Sequence, residues 1–408
     1  METTNKSNSF LRKTLSILGP GIITASLIFG PSKMTITSKM GADFGFSLIW
    51  VIVVAIFFMM IYSKMSARIG LASDETILTL IKKKYGKVTS VIIGLGIFLV
   101  AVSFQSGNST GVSLSASEAT GTNPKIWIVV FNLIGISLLF FRSFYNIFEK
   151  LMIALIILKL FSFLTTAIMV PPPFEAFAKG FIPSIPDGSI GLVIAFTASC
   201  FSIVGALYQA YLVQNSKKLS GGHSAKDTLK GSQTGTLLLG VMSMAVLVCA
   251  ANTLYPQHIQ VSSAAEMGKA LEPLLGPSAK AIFFIGLFGA SFSSLIGNAV
   301  LGGSLLGDTF SYGNNLNHRM VKFFISLVMI FGATIALCFG KAPLELIVLA
   351  QSITIFLVPF IAIVMFLIAN DKEIMKEHVN KPITKVWGVL GLILLIGLAI
   401  SNLINLLK

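Results

Sequence analysis

The chain is short of charge. Of its 408 residues, only 11% are Asp, Glu, Lys or Arg. A soluble protein carries about 25%, so a soluble globular class is excluded. Histidine is scarce, at four residues, all in loop-like stretches. The three cysteines, Cys200, Cys249 and Cys338, lie in apolar segments without metal-ligand spacing. They read as buried small hydrophobes rather than as a disulfide or a metal set. No nucleophile–base pair, His/Cys cluster or phosphate-cradling loop is visible, so the reading is not an enzyme and has no cofactor. The polar start METTNKSNSFLRK is not followed by a short apolar core with a small-residue cleavage site. No cleavable signal peptide is read, and the first apolar segment serves as its own insertion signal.

Hydrophobic residues, in contrast, make up 54% of the chain. Eleven apolar segments lie near 15–38, 45–66, 89–114, 126–141, 147–170, 189–213, 233–253, 279–306, 320–339, 346–369 and 386–406. Runs of about 20 apolar residues are long enough to cross a hydrocarbon core of about 30 Å. The runs are continuous, not alternating, which excludes a β-barrel. The class is an all-α polytopic membrane protein, a single transmembrane domain over 1–408 with no soluble domain between segments.

Thirty basic residues face sixteen acidic ones, for a net charge of +14. Such an excess could indicate nucleic acid, but its distribution points to a membrane. With a cytoplasmic N-terminus, 21 basic residues fall on the inner side and 7 on the outer. The last two, Lys33 and Lys159, lie inside apolar runs. This bias predicts a multi-pass protein of the cell membrane, N-terminus inside and C-terminus outside. Its partner is the lipid bilayer, not nucleic acid, and the chain is read as a monomer.

Two segments look broken. The first contains SLIFGPSKMTITS, with Gly30, Pro31, Ser32 and Lys33 in mid-run. The sixth contains FSIVGALYQAYLVQNSKK, where Gly205 and Ala206 precede Tyr208 and Gln209. Broken helices five segments apart predict a five-plus-five inverted repeat with a midplane site. The repeats span 1–170 and 189–369, with 386–406 as an extra helix. Taken alone, Gly205 also suits close helix packing.

The stretch LGPGIITASLIFGPSKMTITSKMGADFGFSLIWV resembles the first-helix signature of the Nramp metal-ion transporters. Gly19, Pro20, Gly21, Pro31, Gly41, Ala42, Phe44, Gly45, Phe46, Leu48 and Trp50 fit that pattern without a gap. Further resemblance lies in FEKLMIALI, GFIPSIP, FFIGLFGASFSSLIGNAVLGG and LAQSITIFLVPFIAIVMFLIANDKEIM, in order and spacing. The resemblance implies a leucine-transporter-type fold and proton-coupled uptake of divalent metal. It also implies a metal held by the Asp and Asn of a DPGN motif, a Met of the sixth helix, backbone carbonyls and a polar group of the tenth. At those positions this chain has Gly30 and Lys33, and it lacks the Met-Pro-His of the sixth helix. Aligned on Gly205 and Ala206, Gln209 falls at the Met position and Tyr211 at the His position; aligned on the following Tyr-Leu, these shift by about three residues. Gln105 and Asn108 stand where the family has two acidic residues of a proton relay. Gln351 matches the family's glutamine.

Each special residue has two readings. Lys33 faces a site or snorkels to the interface; a central lysine costs about 2.5–3.5 kcal/mol on insertion scales. Lys159 is a tethered cation between the first and eighth helices, a partner of Ser291, Ser293 or Ser294, or a lipid-facing snorkel. Gln209 and Gln351 bind substrate or bond between helices. Tyr208 and Tyr211 contact substrate or pack. Glu149 and Asp308 are gating or loop-pairing residues. The expected function is a secondary active transporter working by alternating access, with a metal ion of the Mn/Fe type as the cargo that the resemblance implies. The alternative is a small anionic or zwitterionic solute, with Lys33 and Lys159 as fixed cations. An ion channel is the further alternative, although no selectivity-filter pattern appears.

Overall fold

The computed structural model describes residues 29–140, 163–200, 203–220, 224–262, 264–272, 276–339 and 343–407. The first half of segment one, and most of segment five with Glu149 and Lys159, lie outside the described residues. The long helices are α1 Pro31–Phe44, α2 Ile49–Ala72, α3 Ile77–Thr120, α4 Pro124–Leu138, α5 Ile190–Cys200 and α6 Ile203–Ser220. They continue as α7 Ser224–Thr253, α8 Ala279–Thr309, α9 Arg319–Cys338, α10 Pro343–Thr354, α11 Val358–Asn370 and α12 Pro382–Leu407.

Length separates two kinds of helix. A residue adds 1.5 Å along a helix. The 24 residues of α2 and the 31 of α8 can therefore cross a bilayer. The 14 residues of α1, counted from the Gly30 cap, span about 21 Å, too little to cross. Segment ten is divided as well: α10 and α11 meet at a bend of 41°. Pro359, at the start of α11, cannot continue the α10 hydrogen-bond ladder. Segment three is interrupted nearer its start, where Gly86 takes φ +86°, a left-handed value that a glycine adopts at little cost.

The sequence places the break of segment six at Gly205, and the structure corrects this: Gly205 and Ala206 are helical within α6. Residues 201 and 202, between α5 and α6, lie outside the described residues. The three cysteines are not alike either. Cys200 and Cys249 are buried, but Cys338 is exposed on α9.

The helices sort into two packed groups. Helix α1 packs against α7, and α2 against α6 and α7. Helices α3, α4, α8 and α9 form a second group, whose core includes Ala101, Phe292, Leu295, Val328 and Met329. Both groups rely on small residues at the contacts, because lipid tails offer no hydrophobic drive for helices to associate. A side chain on Gly41 would strike the Leu247 carbonyl of α7, and one on Gly70 the Ala210 carbonyl of α6. Beside Gly70, Ser66 Oγ donates to the Leu207 carbonyl at 3.0 Å and accepts from the Ala210 N–H at 3.2 Å. Tyr62 Oη ties α2 to α12 by donating to the Gly388 carbonyl at 2.9 Å. At the lysine-rich end, Lys84 pairs with Asp371 at 2.8 Å, which holds that carboxyl below its usual range.

Gly70→Ala would place its methyl against backbone, which cannot rotate away. Overpacking of this kind costs about 1–3 kcal/mol. The variant is expected to melt earlier than wild type in detergent, and an unchanged melting temperature would show that α2 and α6 do not meet this closely.

Candidate functional site

The site grows from the start of α1. Gly30 is the N-cap, in an extended conformation, and offers no side chain to the open N–H groups of the first turn. Pro31 follows at N1, where its missing N–H costs nothing. The positive end of the α1 dipole therefore lies among α3, α5, α8 and α10, all of which contact α1.

Glycines of α3 admit this turn. A Cβ on Gly111 would meet Pro31 and, at 2.6 Å, Ser291 Oγ of α8. One on Gly107 would meet Ser32 Oγ at 2.5 Å. On the α1 side, a Cβ at Gly30 would come within 2.9 Å of Ser294 Oγ and 3.1 Å of Asn108 Oδ1. Asn108 Nδ2 itself donates to the Ser294 carbonyl at 3.1 Å. Gly30 is thus fitted to its neighbours, and an aspartate there would need α3 or α8 to shift.

Lys33 leaves this polar cluster and turns to α5. It is only 1% exposed, so it does not snorkel. Its Nζ donates to Cys200 Sγ at 2.9 Å and sits 5.4 Å from the centre of the Phe196 ring. Cys200 is the last described residue of α5. A cation is favoured there by the phenyl face.

Other expected residues go elsewhere. Gln105 contacts Gly332 of α9, and its Oε1 accepts from Asn298 Nδ2 at 3.1 Å. It serves the second helix group, away from α1. Gln351 is 1% exposed on α10, and its Oε1 has no hydrogen-bond partner among the described residues. Ser32 Oγ, Thr35 Oγ1 and Ser291 Oγ are likewise buried and unpartnered among the described residues. Gln209 is buried in α6, and Ala206 belongs to a core with Leu305, Ile355 and Val358. Sequence reasoning missed Cys200 and Phe196 as partners of Lys33. No local signal links residues 167 positions apart.

Tyr208 and Tyr211 stack at 6.1 Å in the middle of α6. Tyr211 Oη donates to Asp308 Oδ2 at 2.7 Å, and Thr76 also hydrogen-bonds that carboxylate. Gln214 Nε2 donates to the Ser73 and Glu75 carbonyls at 3.0 and 2.7 Å, and Lys217 pairs with Asp74 at 2.8 Å. These contacts fasten α6 to α8 and to the α2–α3 turn at the lysine-rich end.

No group of three His, Cys, Asp or Glu able to hold a metal occurs among the described residues. The donor set around α1 is hydroxyl, amide, thiol and amine. A family model described as "Natural resistance-associated macrophage protein-like" matches residues 21–405. The chain belongs to the Nramp family. This Nramp chain is 25% identical to a divalent metal cation transporter MntH of Deinococcus radiodurans, over 95% of its own length and 89% of that protein. It is 24% identical to an MntH of Yersinia pestis, over 97% of each. Its fold matches the manganese transporter of Eremococcus coleocola with a TM-score of 0.78, at 18% identity, over 97% of this chain and 87% of that one. Mhp1, a nucleobase-cation-symport-1 family transporter, matches with a TM-score of 0.55, at 14% identity, over 95% and 91%. The Nramp chain is therefore a helical membrane protein with the leucine-transporter-type fold.

Tyr211→Phe removes one donor to a buried carboxylate, a loss of about 1–3 kcal/mol. A cysteine replacing Gln214, in a background carrying Cys338→Ser, is expected to react about tenfold faster with a polar thiol reagent when Tyr211 is Phe. Equal rates would show that this contact does not hold the end closed.

Proposed function

We propose that this Nramp-family protein is a secondary active transporter that works by alternating access. Its cargo site lies at the first turn of α1, facing α5. Gly30, Pro31, Ser32, Lys33 and Gln351 line it, with Asn108 behind Gly30. Gly205, Ala206, Tyr208 and Gln209 belong to the helix that moves, α6. The two helix groups supply the parts that rock against each other, and the broken helices supply polar backbone at the midplane. The lysine-rich end faces the cytoplasm.

The relatives' names support divalent metal cation transport as the family's activity. The observation that supports a different cargo for this chain is Lys33 Nζ at Cys200 Sγ, 2.9 Å. An ammonium there takes the cation's place between α1 and α5. At about 5 Å and an effective dielectric near 20, a second, divalent cation would be opposed by about 6–7 kcal/mol. No carboxylate of the α1 turn offsets this, because Gly30 carries no side chain. We read Lys33 as a built-in cation and the cargo as a small anionic or zwitterionic solute.

Purified protein in proteoliposomes is expected to show no saturable manganese uptake above protein-free vesicles. Saturable uptake would overturn the reading of Lys33 and place the cargo with that of the relatives.

A further inference from the structure

Among the buried polar atoms that lack a partner among the described residues are Ser32 Oγ and Thr35 Oγ1 of α1, Ser291 Oγ of α8 and Gln351 Oε1 of α10. A buried polar atom left unpaired is costly, and such atoms in a native fold call for an explanation. None of the four is explained by helix packing, since a methyl group would pack as well and cost less.

Their chemistry divides in two. Ser32 and Ser291 carry hydroxyls that can donate, and both lie at the positive end of α1. Ser32 is the second residue of that helix, 7% exposed, and Ser291 is fully buried. Both hydroxyls bear on α3 glycines one turn apart, Gly107 and Gly111, which places them along the same face of α3. Hydroxyl donors at an uncapped helix start are the groups that recognise a carboxylate. Gln351 Oε1 is different, because it can only accept. It lies on α10, which packs against α1, α3 and α5. One turn away, Ile347 borders the Gly107–Ser32 contact, and next to it the Ala350 carbonyl accepts from Ser103 Oγ at 2.7 Å. An unpaired acceptor suits an ammonium or another N–H donor.

We infer that the cargo is a small zwitterion of the amino-acid type. Its carboxylate sits on the start of α1 with the Ser32 and Ser291 hydroxyls, and its ammonium meets Gln351 Oε1. This inference rests on the proposed transport site and narrows its substrate class. Lys33 is the standing positive charge that balances the carboxylate. It is held on Cys200 and Phe196, clear of the ammonium's place. The size limit follows from α3, because Pro31, Ser32 and Ser291 already occupy the space that side chains at Gly107 and Gly111 would need.

The test is thermal unfolding of the purified full chain, with uptake into proteoliposomes. The probes are glycine, alanine and serine, against acetate, methylamine and manganese chloride. At least one of the three amino acids is expected to raise the melting temperature in a saturable way and to be taken up. Acetate and methylamine are expected to do neither. Ser32→Ala and Ser291→Ala should each weaken the stabilising amino acid about tenfold, since each removes a hydrogen bond to a charged group. Ser291→Thr, which keeps the hydroxyl, should regain most of the loss, separating ligand contact from misfolding. Acetate acting as strongly as the amino acids would overturn the zwitterion and leave an anion site. No response to any amino acid would overturn the inference while leaving alternating access to be judged by the α6 contacts. Stabilisation by manganese alone would overturn both this inference and the reading of Lys33.

Discussion

Hydrocarbon contains nothing that can hydrogen-bond a peptide group, so every N–H and C=O inside a bilayer must find its partner within the protein. A helix that begins halfway across, as α1 does at Gly30, meets this demand only if other helices enclose its end. This requirement organises the molecule. Helices α3 and α8 cross fully and stand against the α1 start, and their glycines and serines let backbone approach backbone. Helices α5 and α10 also contact α1, and α10 meets α11 at the 41° bend.

Within that enclosure two features carry charge. The positive end of α1 is left without a side-chain cap. The Lys33 ammonium meets Cys200 of α5. A buried charge is stable only when it is paired and solvated by dipoles. Lys33 has the Cys200 sulfur and the Phe196 ring for this purpose. The proposed function rests on this arrangement: in it, Lys33 is the cation supplied by the chain, and the uncapped start of α1 favours negative charge.

Much of this was legible in the sequence. Continuous apolar runs identified a helical membrane protein because spanning segments must hide their backbone in helices. Gly30 and Pro31 marked the first break because neither supports a helix interior. The mid-run place of Lys33 left it either site-facing or snorkelling, and the structure buries it. Asn108 and Gln105 looked alike in sequence, three positions apart on one helix. Only the structure separates them, since three residues turn a side chain by about 300°. Asn108 lands against Gly30, and Gln105 lands against Gly332. Gly205 looked like the weak point of segment six, yet it is helical in α6. The bend in segment ten went unread although Pro359 stands at its start.

The sequence by itself determined that this chain crosses a membrane many times, belongs with the Nramp proteins and carries a glycine, a proline and a lysine together within its first apolar run. Composition and local order decide these things, because hydrophobic length and backbone chemistry act along the chain. The partners of that lysine were decided only by tertiary structure. Cys200 and Phe196 are far from Lys33 in sequence and carry no motif. They meet Lys33 because α1 and α5 are both held against α10, which brings the first turn of α1 beside α5.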